Sequence, residues 1–178
     1  MFGCPTLQTD RLVLRQFVES DLDGYFTILD TTEVRTALRV ADSVDRSSAW
    51  SNLAIWLGQW ALRNSGRWAI EPKSTGELIG RAGSHRAEKK DWPGLEIGWT
   101  FHSSHWGNGY AAEAGRASGE WTFANHPVYE LVSRILLDNH RSQAVAKRLG
   151  FHLREEETLS TSAAKPHGIW LLPRTGLE

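Results

Sequence analysis

The sequence predicts a mixed α/β (α+β) fold in which helices flank a sheet, and three observations support this prediction. The 178 residues are enough for one domain that buries most of its surface in a single core. The first half shows two helical patterns followed by a meander of strands. The second half continues as glycine turn, helix, strand, helix and two strands, an order typical of ligand-binding α/β units.

The chain begins with a strand pattern at residues 11–17, where Leu12 and Leu14 share one face. Ser20 is the predicted N-cap of the first helix, because hydroxyl side chains accept hydrogen bonds from the first helical turn. A second helix is predicted over residues 47–64, and residues 64–66 end it. Its apolar residues recur at helical spacing: Trp50, Leu53, Trp56, Leu57, Trp60 and Ala61.

The later elements follow from runs of apolar and β-branched residues between turn-forming segments. Strands are predicted over residues 67–72, 78–85 and 95–101. A helix at residues 110–125, a strand at 131–137 and a helix at 139–149 come next, and Gly150 lies in the position that ends a helix. Two strands, at residues 151–157 and 167–172, complete the chain.

Composition excludes several classes of protein. Twenty Lys and Arg residues against 21 Asp and Glu give a net charge of −1, without the basic excess of a nucleic-acid-binding protein. No apolar run approaches the roughly 20 residues of a membrane helix, and residues 1–10 do not resemble a signal peptide. We therefore expect a cytoplasmic protein without nucleic-acid or membrane partners. Cys4 is the one cysteine, which excludes an internal disulfide, and we interpret it as an incidental thiol.

The segment with chemical content is a turn with two glycines, Gly107 and Gly109, between a strand and a helix. Such a turn can direct several backbone N–H groups into one concavity, in front of a helix N-terminus, where a phosphate would bind. A side chain at either glycine would block close approach or forbid a positive φ. The alternative is a tight turn without a ligand.

A dinucleotide-dependent oxidoreductase is a second alternative, because Gly107, Gly109 and Ala112 also fit the spacing of a dinucleotide-binding turn. That fold requires an apolar strand before the first glycine, whereas residues 102–106 are polar and aromatic. It also requires an acid about 20 residues further on, and Asp138 lies 29 residues after Gly109. The sequence therefore disfavours this alternative.

The turn resembles the acetyl-CoA pyrophosphate loop of the GNAT N-acetyltransferases, and the subgroup that it resembles most is the ribosomal-protein N-terminal (Rim-type) acetyltransferases. Residues 9–15 and 96–99 are similar to the opening and fourth strands of that subgroup, and residues 139–151 to its late helix. The resemblance extends over residues 9–174, which we expect to form a single domain. The turn itself reads Trp106-Gly107-Asn108-Gly109-Tyr110-Ala111-Ala112-Glu113-Ala114.

The resemblance implies a GNAT fold, with a twisted and largely antiparallel sheet of about seven strands that splays between the fourth and fifth strands. It also implies that acetyl-CoA is a co-substrate, that no metal is needed, and that acetyl passes directly to an amine. In the family the fourth strand, the loop and the start of the late helix bind the co-substrate. The corresponding residues here are Trp99, Thr100, Phe101, Trp106, Gly107, Asn108, Gly109, Tyr110, Ala111, Asn139 and Ser142.

Two residues depart from the general family pattern. Trp106 occupies a position where many members have Gln or Arg, so backbone N–H groups must do most of the phosphate binding. Ala146 occupies the position of the tyrosine that serves as general acid in many members, so another group must protonate the departing thiolate. The missing tyrosine leaves open a catalytically silent CoA-binding module.

Two residues are candidates for acid–base chemistry. Glu96 is the candidate base, acting through water on an amine that is mostly protonated at neutral pH. Its alternative is an ordinary carboxylate that points outward from a strand. Ser142 is the candidate proton donor to sulfur, by its match to the subgroup, and its alternative is a residue that satisfies the first turn of the late helix.

The sequence says less about the residues that would bind the acceptor amine. Trp56 and Trp60 are candidates for the wall of an amine pocket through cation–π contacts, and core packing is the alternative. Lys147 and Arg148 can approach the 3′-phosphate or form a solvated face. His102 and His105 lack a third ligand at metal spacing, although either can act as an auxiliary base.

The acceptor itself is expected to be an amine. A peptide N-terminus, an aminoglycoside, a polyamine or another small amine all remain open, because a fold does not determine its substrate. The protein is expected to be a monomer or a homodimer.

Overall fold

The computed structural model describes residues 3–38, 40, 43–86, 94–157 and 166–177. One eight-stranded sheet runs through the molecule in the order β1-β2-β3-β4-β5-β6-β8-β7. All neighbouring strands pair antiparallel except β5 and β6. The predicted mixed α/β fold of the GNAT type is therefore confirmed, with one strand more than expected because a two-residue strand precedes the predicted first one. The strands are β1 Leu7–Gln8, β2 Leu12–Arg15, β3 Arg67–Pro72, β4 Gly80–His85, β5 Glu96–Phe101, β6 Glu130–Leu136, β7 His152–Glu157 and β8 His167–Pro173.

Five helices connect these strands within the described ranges: α1 Leu22–Asp30, α2 Thr32–Leu38, α3 Arg46–Arg63, α4 Tyr110–Asn125 and α5 His140–Arg148. Four of them match predicted helices, and Gly150 lies after α5 at φ 93° as expected. The sequence analysis missed α2, a seven-residue helix in which Val34 alone is buried. None of the described helices has the length and apolarity needed to cross a bilayer.

The prediction that Ser20 is an N-cap was wrong. Residues Glu19–Asp21 form a single 3₁₀ turn before α1, and the Asp21 carboxylate accepts a hydrogen bond from the Val18 N–H at 2.8 Å. Arg15 also binds this carboxylate, at 2.7 Å and 2.8 Å. Asp21 is a better acceptor than a hydroxyl here, because its charge is balanced by a guanidinium in a site only 7% exposed.

Helices pack on both faces of the sheet. Successive residues of a strand point to opposite faces, and on β3 Trp68 contacts the core under α4 while Ala69 contacts the core under α1 and α3. Trp60, Trp68 and Trp121 form a cluster of edge-to-face rings with centroids 4.5–5.3 Å apart. The tryptophan-rich sequence therefore forms a rigid centre between α3, β3 and α4.

The sheet splays at its middle. β5 and β6 run parallel and pair at one position, Glu96 with Val132, whereas β4 and β5 pair over six positions from His85–Glu96 to Gly80–Phe101. Beyond Glu96, β5 and β6 diverge, so β5 presents backbone groups that β6 does not pair. Parallel strands need a crossover connection, and here that crossover includes α4. The splay leaves a cleft between the two halves of the sheet.

Candidate active site

A cavity of about 320 Å³ occupies this cleft. Its walls are the end of α2, the C-terminal half of β5, the β5–α4 loop with the start of α4, and one face of α5. Of the residues predicted to contact acetyl-CoA, all but Asn108 line this cavity. Asn108 supports the loop instead, because its carbonyl accepts a hydrogen bond from Arg11 Nη1 at 2.9 Å and its side chain donates to the His105 carbonyl at 3.2 Å.

The β5–α4 loop exposes a row of backbone donors. Gly107 and Gly109 both have φ of 81°, a conformation that favours glycine, and a Cβ at Gly107 would have no atom within 4 Å. The Trp106 N–H donates to Ser103 O and the Ala112 N–H to Gly109 O. Between them, the N–H groups of residues 107–111 have no acceptor in the described part of the chain. Free N–H groups in front of a helix N-terminus have the geometry that suits an anion.

A carboxylate connects this loop to the turn between β1 and β2. Glu113, in the first turn of α4, accepts hydrogen bonds from the Thr9 hydroxyl at 2.5 Å, the Arg11 N–H at 3.0 Å and Arg11 Nε at 2.7 Å. The Arg11 guanidinium also lies 4.8 Å from the Tyr110 ring centroid. Burial raises the pKa of Glu113, and the hydrogen bonds from Thr9 and Arg11 outweigh it, so that the pKa is lowered overall.

Trp106 holds the other end of the loop. Its indole Nε1–H donates to the Phe101 carbonyl at 2.9 Å, which closes the end of β5. The Arg141 guanidinium lies 4.8 Å from the Trp106 ring centroid and lines the cavity. The sequence analysis missed Arg141, although Arg141, Val145 and Arg148 share one helical face by their spacing and all line the cavity. Arg141 thus supplies, from α5, a cation that the Trp106 position lacks.

A second cavity, of about 140 Å³, is lined by residues of β3, β4, β5 and β6. It shares Trp99, Thr100, Asn139 and Ser142 with the first cavity, so the two spaces meet at these residues. Its own walls include Glu96 and three arginines, Arg67, Arg81 and Arg134. The two catalytic candidates, Glu96 and Ser142, both line this second cavity.

Opposing effects act on the Glu96 carboxyl. Its side chain is 15% exposed and lies 3.2 Å from Arg67 Nη2. Burial raises the pKa of Glu96, the cations Arg67, Arg134 and Arg81 lower it, and the net direction is upward. A carboxyl with a raised pKa is a stronger base than an exposed one once it is ionised.

Asn139 and Ser142 lie at the N-terminus of α5 and line both cavities. Asn139 caps α5, because its Oδ1 accepts a hydrogen bond from the Ser142 N–H at 3.1 Å, and its Nδ2 donates to the Ala37 carbonyl of α2 at 3.0 Å. The Ser142 residue lies where both cavities meet. Its role as acid and the contact of Asn139 with the co-substrate stay predictions.

The structure does not bring Trp56 and Trp60 to either cavity. Trp56 is 5% exposed and packs on Phe17 and Tyr25, with centroids 5.3 Å and 5.2 Å away, and Trp60 is 2% exposed in the tryptophan cluster. Trp50 is 59% exposed. These contacts favour core packing over a pocket wall for the buried pair.

Of the other residues singled out from the sequence, some line the larger cavity and some lie outside it. His105 and Arg148 line the larger cavity, whereas Lys147 Nζ lies 5.8 Å from the Trp170 ring centroid. His102 Nδ1 lies 2.8 Å from the Ser104 hydroxyl. Burial raises the pKa of the Cys4 thiol to about 12, which disfavours the reactive thiolate. Among the described residues, no three His, Cys, Asp or Glu side chains are grouped to hold a metal ion.

The cleft fits a long molecule with a phosphate at one end and amide groups along its arm. The loop N–H groups suit a diphosphate, and the unpaired edge of β5 suits a chain of amides. Thr100 Oγ1 is buried with no hydrogen-bond partner among the described residues, at the point where the two cavities meet. Buried hydroxyls are usually paired, so a ligand in this cleft would satisfy it.

Comparison with known proteins agrees with this geometry. Residues 11–152 match the model of the acetyltransferase (GNAT) domain. The chain is 29% identical over 147 residues to the uncharacterized N-acetyltransferase YoaA of Bacillus subtilis, covering 83% of this chain and 82% of that protein. An acetyltransferase structure from Agrobacterium tumefaciens has a TM-score of 0.82 at 29% identity, covering 98% and 97% of the two chains.

Mycobacterium smegmatis RimJ, solved in complex with CoA-disulfide, shares the fold with a TM-score of 0.75 at 17% identity, covering 92% of this chain and 82% of that one. The family model spans most of the sequence, and the splayed sheet has the expected form. The chain therefore belongs to the GNAT acetyltransferase family and is an N-acetyltransferase.

Proposed function

We propose that this chain transfers acetyl from acetyl-CoA directly to a primary amine, with no covalent enzyme intermediate. One observation carries the proposal: the anion-binding loop, the unpaired edge of β5 and the cavity with Glu96 form a continuous path that meets at Trp99, Thr100, Asn139 and Ser142. The larger cavity takes the carrier, and the smaller one takes the acceptor. The thioester then lies between them, beside β5.

The residues divide the chemistry between them. Glu96 removes a proton from the ammonium form of the acceptor through water, which leaves a neutral nitrogen to attack the thioester carbonyl carbon. A β5 N–H that β6 does not pair faces the carbonyl oxygen as it gains charge. When the C–N bond has formed, the nitrogen gives its second proton to water, and the C–S bond breaks as the carbonyl re-forms. The departing thiolate takes a proton from water or from Ser142, which water then reprotonates. A thiol has an ordinary pKa near 8.5, so a weak donor is sufficient.

Two classes of acceptor fit the family resemblance. A peptide α-amine is the first candidate, since the loop and late-helix motifs resemble the Rim-type subgroup and RimJ shares the fold. A small-molecule amine is the second, because GNAT members change their acceptor half freely while they keep the loop. The first test therefore measures thiol release from acetyl-CoA with a panel of both classes. Turnover with any amine supports the proposal, and tight CoA binding without turnover would favour a silent CoA-binding module.

Substitution at Gly109 tests the loop assignment. Gly109→Val places a β-branched residue at φ 81° and a Cβ about 3.4 Å from Arg11 Nη2, so we expect CoA affinity to fall at least tenfold. Gly76→Val is the matched control, because Gly76 also has a positive φ, 65°, with open space around it, in the turn after β3. Both variants lose stability, and only Gly109→Val loses affinity in calorimetric titration. Equal CoA affinities in the two variants would remove the loop assignment.

A further inference from the structure

The smaller cavity has an unusual concentration of positive charge. Arg67, Arg81 and Arg134 all line its 140 Å³, and Glu96 is the one carboxylate among its described lining residues. A pocket for a simple protonated amine would be expected to carry an excess of acids, since like charges repel across a desolvated space. The described lining residues instead include three guanidinium groups and one carboxylate.

Arg67 forms an ion pair with Glu96. It is 5% exposed and donates to the carbonyls of Gly83 and Gly98, the latter at 2.9 Å, and to Glu96 at 3.2 Å. These contacts fix Arg67 as part of the wall. Burial, followed by the charge of Arg81, lowers the pKa of Arg67 to about 10, and Glu96 opposes this shift.

Arg81 is held in place without being neutralised. Its Nε donates to the Tyr25 hydroxyl at 3.0 Å, and its guanidinium lies 4.9 Å from the Trp56 ring centroid. Neither a hydroxyl nor an indole ring carries a net charge, and no carboxylate in the described ranges forms an ion pair with Arg81. Burial, followed by the charges of Arg67 and Arg81, lowers the pKa of the neighbouring His85 to about 4, so this histidine is neutral at pH 7.

We propose that the acceptor is an amine that carries a carboxylate or phosphate close to its nitrogen, and that Arg81 binds this anionic group while Glu96 faces the amine. A guanidinium matches either oxyanion with paired N–H donors. The contacts with Tyr25 and Trp56 orient Arg81 from the closed side of the pocket. The inference rests on the proposed function and narrows its acceptor: polycations such as polyamines and aminoglycosides would be repelled.

The test compares amines that differ only in the anion. Thiol release is measured with alanine against alaninamide, with O-phosphoethanolamine against ethanolamine, and with C-amidated peptides whose second residue is Asp or Asn. Spermidine is included as an acceptor that carries several positive charges and no anionic group. We expect the anionic member of at least one pair to have a kcat/KM at least tenfold higher than its partner, with spermidine the poorest acceptor. The preferred pair distinguishes a free amino acid, a phosphorylated amine and a peptide.

Arg81→Gln tests the assigned residue. We expect the ratio of kcat/KM between the anionic member and its partner to fall at least tenfold in this variant. The change should come mainly from a higher KM for the anionic member, while the Kd of CoA stays the same. The control is Arg154→Gln, because Arg154 lies on β7 and pairs with its neighbour Glu155. This variant should keep both turnover and preference.

Three outcomes would count against the inference. Equal rates within every pair, or a preference for spermidine, would overturn it while leaving acetyl transfer intact. An unchanged preference in Arg81→Gln would overturn the role of that residue. No turnover with any amine, together with normal CoA binding, would contradict the proposed function itself and this inference with it.

Discussion

Glu96 lies where the charge state of its carboxyl bears on its ion pair with Arg67 and on the proposed chemistry. The residue forms the single paired position between β5 and β6 with Val132, and its carboxyl lies 3.2 Å from Arg67. Burial raises its pKa, so the ionised form that a base requires is lost as the pH falls through that raised value. At high pH the acceptor amine is already neutral and needs no base.

Glu96→Gln should therefore reduce kcat/KM most at intermediate pH. In that range the wild-type carboxyl is ionised and the amine is still mostly protonated, whereas toward the pKa of the amine the two enzymes should converge. Rates of thiol release across the pH range check this expectation. If the variant kept the wild-type pH profile, Glu96 would not be the base.

The charge of Glu113 acts at the level of elements, since its hydrogen bonds connect the β1–β2 turn to the first turn of α4. Glu113→Gln keeps the shape and removes the charge, and we expect a loss of about 1 kcal/mol of stability at pH 7. CoA affinity should fall severalfold with it, because the loop N–H groups are less firmly placed. The measurements are denaturant unfolding and calorimetric titration, with Glu120→Gln on the exposed side of the same helix as control.

The pH dependence of this effect has a definite sign. The pKa of Glu113 is lower in the folded protein than its ordinary value of 4.5, so the carboxylate contributes stability fully above that value. The contribution is lost as the pH falls through the folded pKa. The stability difference between wild type and Glu113→Gln should shrink below about pH 4.5, and a difference that grew there would contradict the assigned hydrogen bonds.

Elements with a clear hydrophobic periodicity, or with turn-forming residues at their ends, could be predicted from the sequence. Contacts between strands that are distant in the sequence could not. The helix at Tyr110–Asn125 and the strand at Arg67–Pro72 matched their predicted bounds. Helix α2 escaped because its seven residues bury one side chain and show no apolar stripe. The loop site could be placed from its glycines, because sequence neighbours form it.

The smaller cavity, by contrast, depends on the register of the strands. Arg67, Arg81 and Arg134 lie on three strands, and they meet because β3, β4 and β5 pair in one particular alignment and β6 splays away. A one-residue slip would turn each arginine to the other face. The sequence alone shows three arginines in three strands and no sign that they share a pocket.

For the whole molecule, the splay means that the two halves of the sheet share little backbone pairing, while the larger cavity is lined by β5, α4 and α5 together. A ligand in that cavity contacts both halves and stabilises the folded state by about 2.7 kcal/mol at a concentration 100 times its Kd. For a chain of this length, CoA should then raise the Tm by about 5–10 °C.

Differential scanning fluorimetry with increasing CoA checks this shift, and NADH at equal concentration is the control. A shift with NADH and none with CoA would revive the dinucleotide-binding alternative. A shift with neither would mean that the cleft does not hold the carrier.

The attachment of Glu113 to Thr9 has a practical consequence for anyone who trims this chain. The stretch that matches the family model, residues 11–152, includes the whole glycine turn. Cutting to that stretch would nevertheless remove the hydroxyl at position 9 that binds Glu113, together with β8 and all of β7 except its first residue. The portion that is recognisable as an acetyltransferase is thus smaller than the portion that must be expressed for the turn to keep its shape.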